Sequence, residues 1–170
     1  SRMVRVKAAN EKVTANVLKD HVVIVGFGLN GQNVASAALD SGIRCAVIDP
    51  DIERAHKAQL IGLHTLVGDA TNIHMLEKAH VERARVVVIA IADAVQTKQI
   101  VAAVRTLSRT AHIIVRTRHV HELQANFEAG ANEVIPEEFE TSIEIFHRVL
   151  RKYLIPEAKI QDLVAGIRND

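Results

Sequence analysis

Residues 22–31 read Val-Val-Ile-Val-Gly-Phe-Gly-Leu-Asn-Gly, and no other stretch limits the fold so tightly. Four β-branched residues predict a strand. It runs straight into glycines with G-x-G-x-x-G spacing and then into a helical pattern. Each glycine has its own physical job in such a turn: Gly26 permits the tight bend, Gly28 lets backbone approach a phosphate, and Gly31 lets helix and strand pack closely. The first N–H groups of the following helix are unpaired and partly positive, so an anion fits against them. The spacing alone is a weak signal. It gains meaning when a strand precedes it, a helix follows, and an acid closes the unit.

The next residues supply that context. A helix over about 30–41 presents the small residues Val34, Ala35, Ala37 and Ala38, and Ser41-Gly42 stops it. Cys45-Ala46-Val47-Ile48 then reads as a buried strand ending in Asp49. That acid lies about 20 residues past the glycine turn, where a dinucleotide fold places the carboxylate that accepts ribose hydroxyls. Further strands are expected at His64–Val67, Val86–Ile91, His112–Arg116 and Glu133–Ile135, with helices over about 52–61, 72–79, 94–108 and 119–129. Continuous apolar runs such as Val86–Ile91 imply burial on both faces, as in a parallel sheet. The expected fold is therefore α/β, a Rossmann-like doubly wound parallel sheet of six strands.

After Pro136 the rhythm changes. Phe139, Ile143, Phe146, Leu150 and Tyr153 fall at alternating spacings of four and three, and Ile145 and Val149 widen the apolar surface. Glu137, Glu138 and Glu140 crowd the start of this helix and Arg148, Arg151 and Lys152 its end, complementing the dipole. The helix either covers the sheet or is shared between subunits. Beyond Pro156, Ile160, Leu163, Val164 and Ile167 predict one more amphipathic helix. The expected organisation is a linker over 1–20, a nucleotide-binding domain over 21–136, and helices over 137–170.

Composition narrows the function. At 170 residues the chain forms one sizeable core, with 48% hydrophobic and 24% charged residues. A net charge of +1, one Tyr, four Phe and no Trp argue against a nucleic-acid surface. The single cysteine, Cys45, rules out an internal disulfide, fits a reducing compartment, and reads as an inert buried thiol. The opening Ser1-Arg2-Met3 and five basic residues over 1–20 suggest an excised fragment beginning in a linker. No CxxC, HExxH or carboxylate cluster marks a metal site; His119 and His121 do not share a face on a helix.

GFGLNGQNVA, VIDPD (47–51), GDAT (68–71), VVVIAI (86–91), IIVRTR (113–118) and GANEVIPEEFETSIEIF (130–146), taken in order, resemble a TrkA-N domain, the regulatory ligand-binding domain also called RCK or KTN. The resemblance covers about residues 20–155, and the last stretch is most similar to the cytosolic C-terminal domain of Kef-type monovalent cation:proton antiporters. It implies that Gly26, Gly28 and Gly31, with Phe27, Leu29 and Asn30 between them, hold a ligand phosphate. Asp49, beside Pro50 and Asp51, would bind the ribose, and Gly68, Asp69 and Ala70 would lie beside the adenine. Ala90 and Ile91 would line the cleft, and Arg116 would reach toward phosphate or a second ligand. Asp69 could instead cap the helix from 72, and Arg116 could pair with a surface carboxylate. The resemblance further implies a homodimer through the helix 138–154, which makes that helix a crossover helix. It also implies a membrane transport domain in the same or an associated chain, and a place on the cytoplasmic face of the membrane.

An oxidoreductase is the competing class, but the residues after the sixth strand read as packing helices with no substrate domain. The expectation is a non-enzymatic sensor that binds an adenine nucleotide, NAD(H), AMP, ADP or ATP, and gates transport of potassium or another monovalent cation. A separate Trk-type or channel-associated subunit is the other regulatory arrangement. Asp49 argues against NADP, because a 2′-phosphate would meet a second negative charge. Leu29-Asn30 stands where glutathione-responsive relatives carry an arginine and an aromatic residue, so glutathione gating is not expected. Asp49→Ala is expected to weaken nucleotide binding with the fold intact, and Phe146→Glu to yield a monomer or an unfolded chain.

Overall fold

The structure, a computed structural model, describes residues 18–169. Six strands alternate with helices: β1 (Val22–Val25), β2 (Cys45–Asp49), β3 (His64–Val67), β4 (Val86–Ile89), β5 (His112–Thr117) and β6 (Glu133–Pro136). They form one sheet in the order β3-β2-β1-β4-β5-β6, parallel throughout. This is the expected Rossmann-like doubly wound sheet. The chain reverses its direction of travel across the sheet between β1 and β4, so the crevice at their carboxyl ends is where such a sheet takes ligands.

Strand alternation divides the core in two. Val23, Val25, Val87, Ile89, Ile113 and Val115 point to one face, against Leu76 of α3 (Ile73–Lys78) and Ile100, Val101 and Val104 of α4 (Ala94–Leu107). Helix α5 (Leu123–Ala129) completes that side. On the other face Ile24, Phe27, Cys45 and Val47 meet α1 (Leu29–Asp40) and α2 (Ile52–Leu60) through Ala35, Ala38 and Ala58. Residues this small let the helices sit close to the sheet. Burial pushes the Cys45 thiol up to about 11, consistent with an inert group.

Several boundaries differ from expectation for identifiable reasons. The fourth strand stops at Ile89, because its neighbour β1 stops at Val25, the residue paired with it. The segment from 119 begins as a 3-10 turn (Val120–Glu122) with His119 extended, and this stacks the His119 and His121 rings 5.3 Å apart. The prediction that they share no face assumed an α-helix there. Most of the expected linker lies outside the described residues. Of its last three, Leu18 is buried in the core, and Asp20 pairs with Arg85 in two hydrogen bonds of 2.5 and 2.7 Å.

Beyond β6, α6 (Glu137–Lys152) and α7 (Glu157–Asn169) form a hairpin. His147 contacts Glu157 at 2.8 Å, and Arg168 donates to both Glu140 oxygens at 2.6 and 2.8 Å. Ile143 and Ile160 are buried, and Phe139, Phe146 and Leu150 are half-buried. The expected seam is thus largely used within the chain. The stripe that faces outward is Ile145, Val149, Tyr153 and Leu154, with Ile145 59% and Leu154 89% exposed. The hairpin also leaves uncovered an apolar groove of about 730 Å³ over the outer face of β4 and β5, lined by Val22, Val34, Val86, Val88, Ile114 and Ile135. Among the described residues no helix is long and apolar enough to cross a membrane.

Candidate functional site

A cleft of about 490 Å³ opens at the carboxyl ends of β1 and β4, lined by Gly26, Gly28, Leu29, Asn30, Asp49, Pro50, Arg54, Ala90, Ile91, Asp93, Gln96, Arg116 and Glu137. A smaller pocket of about 140 Å³ shares Pro50, Ile91 and Gln96 with it and is closed by Gly68, Asp69, Ala70 and Ile100. Twelve of the fifteen residues singled out from sequence line one or both cavities; Phe27, Gly31 and Asp51 do not.

The three glycines of the turn serve different ends. Gly26 has φ +96°, and a Cβ there would lie 2.7 Å from the Ala90 carbonyl oxygen. A Cβ on Gly31 would collide with the Gly26 carbonyl oxygen. These two are required by the backbone itself. Gly28 is different: its φ is −78°, open to any residue, and a Cβ would meet nothing within 4 Å among the described residues. Its bareness keeps open space beside the start of α1. That helix has no side-chain cap and no acid in its first turn. By contrast, Asp51, Asn72 and Asp93 cap α2, α3 and α4. The N–H groups of Leu29, Asn30 and Gly31 have no acceptor within the helix and carry the positive end of its dipole.

Phe27 acts through its backbone. Its ring is buried in the core, and its N–H donates to Asp49 Oδ2 at 2.8 Å. Asp49 is only 1% exposed. Its Oδ1 accepts from the Asp51 N–H at 2.8 Å, and its Oδ2 also accepts from Arg54 Nε at 3.0 Å. The carboxylate therefore fastens the glycine turn to β2. Asp49→Ala would therefore cost stability as well as any ribose contact, because the substitution would strand a buried N–H. The charge argument against NADP also changes, since Arg54 lies against the carboxylate. Asp51 is the cap of α2, accepting from the Arg54 N–H at 2.9 Å. Asp69 does not cap α3, a role taken by Asn72. Its Oδ1 accepts from the Thr71 hydroxyl at 2.7 Å and the Thr71 N–H at 2.9 Å, which hold its carboxyl below the ordinary range.

Arg116 does not point freely at solvent: it pairs with a carboxylate, that of Glu137, whose side chain is 42% exposed at the cleft. Its Nε donates to Glu137 Oε1 at 2.6 Å and its Nη1 to the Ile91 carbonyl at 3.2 Å, both within the cleft. Arg54 and Glu137 were not singled out from sequence. Arg54 stands five residues after Asp49 on the first turn of α2, and that spacing was the available signal. Glu137 reads from sequence as one of three acids complementing a helix dipole, with nothing to single it out. Among the described residues no group of three metal-ligating side chains assembles.

Residues 22–137 match the TrkA-N domain family. A putative K(+) efflux antiporter KefB of Alkalimonas amylolytica is 34% identical over 150 residues, which are 86% of this chain and 22% of that protein. The chain spans about a quarter or less of the length of the curated relatives it matches. Among solved structures, the TrkA-N domain of inner membrane protein ybaL from Escherichia coli superposes with TM-score 0.74 at 26% identity, covering 78% of this chain and 98% of that one. The Shewanella denitrificans Kef C-terminal domain in its AMP-bound form superposes with TM-score 0.75 at 21% identity, covering 88% and 92%.

Proposed function

The chain belongs to the TrkA-N domain family, and on that premise we propose that it is the ligand-sensing domain of a potassium or monovalent-cation efflux protein, binding an adenine nucleotide in the cleft beside Gly28. The observation that carries this reading is Gly28 itself. The packing of the described residues leaves the space of its missing side chain empty, beside an uncapped helix N-terminus whose N–H groups suit a phosphate. The ribose would sit near Asp49 and Arg54 and the base in the smaller pocket between Ala70 and Ile100, an arrangement supported by the Pro50, Ile91 and Gln96 walls that the two cavities share. The AMP held by the structurally similar Kef domain is consistent with it.

Sensing rather than catalysis is supported by the segment after β6, a helical hairpin carrying an exposed apolar stripe. Ile145, Val149 and Tyr153, with the apolar groove over β4 and β5, suit pairing with a second copy through α6. In this reading a nucleotide favours one arrangement of the pair by its differential affinity, and residues 1–20 carry the change to a transport domain at the cytoplasmic face of a membrane. The test is the mass of any small molecule that copurifies, followed by calorimetric titration with AMP, ADP, ATP, NAD, NADH and NADP. Binding of AMP, ADP, ATP, NAD or NADH supports the reading. Tight NADP binding with weak NAD and AMP binding, or none by any of them, overturns the ligand assignment.

A further inference from the structure

Glu137 occupies an unusual place for a carboxylate. It is the first residue of α6, yet its side chain lies in the cleft, and with Asn30 and Arg116 it lines both that cleft and the apolar groove. Asn30 belongs to the uncapped first turn of α1. A negative group thus lies where the Asn30 side chain, on the first turn of α1, meets the cleft, and it holds one of the two arginines that line it, with Arg116 Nε donating to it at 2.6 Å. Arg116 is itself fixed from behind by the Ile91 carbonyl. Two anions brought to one guanidinium repel each other over a few ångströms, and the Arg116 side chain, only 20% exposed, is partly shielded from water although Glu137 is 42% exposed. The Arg116 guanidinium holds the Glu137 carboxyl below the ordinary glutamate range, with a smaller contribution from Asn30, so it is charged at neutral pH.

We propose that Glu137 is a resident counter-anion of the cleft, displaced from Arg116 by the phosphate of an incoming nucleotide, so that it grades ligands by phosphate charge and frees the start of α6 when one binds. The proposal rests on the nucleotide reading of the cleft. It assigns Glu137 to ligand selection and gives occupancy a covalent path out of the site, because Glu137 is part of the helix that carries the exposed stripe.

The test is calorimetric titration of the wild type and Glu137→Gln with adenosine, AMP and ADP. Hydrogen exchange of the amides of residues 138–142 is followed in parallel, with and without ADP. Removing the resident charge should tighten ADP by about tenfold, tighten AMP less, and leave adenosine within about twofold. In the wild type ADP should speed exchange over 138–142; in Glu137→Gln exchange should already be fast and respond little. Equal or weaker ADP binding by Glu137→Gln, an equal gain for adenosine and ADP, or slower exchange in the wild type with ADP overturns the proposal. If both proteins bind adenosine and AMP yet show no graded change, only the role of Glu137 falls. If neither binds any nucleotide, the nucleotide reading falls and takes this one with it.

Discussion

Removing the Asp49 carboxylate tests how the glycine turn is held. Asp49→Ala deprives the buried Phe27 N–H and the partly buried Asp51 N–H of their acceptors. Each stranded buried donor costs about 1–3 kcal/mol, the partly buried one toward the lower end, so a total of about 2–4 kcal/mol is expected. Arg54 adds little, since its side chain is 46% exposed and can rehydrate. In a domain of this size about 2–4 °C of melting temperature accompanies each kcal/mol, which gives a fall of about 5–15 °C. Urea unfolding monitored by circular dichroism gives the number directly, with an unchanged slope showing that the unfolded state is unaltered. Asp49→Asn keeps one acceptor oxygen and should lose about half as much. A loss under about 0.5 kcal/mol for Asp49→Ala would refute the idea that this carboxylate fastens the turn, leaving it only the ribose role expected from its spacing.

Gly28→Ala should leave the melting temperature nearly unchanged while weakening ADP binding by more than about tenfold, whereas Gly31→Ala should destabilise the fold through overpacking; equal stability losses in the two would contradict the division of roles. Ile145→Glu with Val149→Glu should yield a folded monomer by light scattering, because both residues face outward; a persistent dimer places the interface elsewhere. Phe146→Glu is a poorer probe, since that ring is half-buried and the change also perturbs the hairpin. Arg116 and Arg168 hold the Glu137 and Glu140 carboxyls below the ordinary range. Their folded values are depressed, so the stabilisation is complete above the unfolded glutamate value of about 4.3 and is lost as pH falls through the folded values. The urea midpoint should therefore drop more steeply for the wild type than for Arg168→Met below about pH 4; parallel profiles would show that the Arg168–Glu140 pair is inert.

The sheet was readable because apolar β-branched runs end in turn residues, and the register of β1 against β2 and β4 accords with their shared burial. What spacing could not show is which way a carboxylate turns. Asp49 stands where a ribose acceptor belongs, but only the position of the Phe27 N–H and the Arg54 guanidinium reveals that it faces inward. Glu137 was hidden for the opposite reason. Three acids opening a helix have a sufficient local explanation in the dipole, and only tertiary folding brings one of them to Arg116, 21 residues earlier. The helix seam stayed open for a third reason: a heptad-like pattern identifies an apolar face without saying whether α7 or a second chain covers it.

The three glycines of the opening turn would tolerate change unequally over evolutionary time. A lineage that kept this fold but abandoned its ligand would still be bound to Gly26 and Gly31, because backbone atoms fill the space of any side chain there. Gly28 would be released to drift, since among the described residues nothing comes within 4 Å of a Cβ at the position. In domains descended from the same ancestor, the first and third glycines would record architecture, and the middle one would record whether a small molecule is still being read.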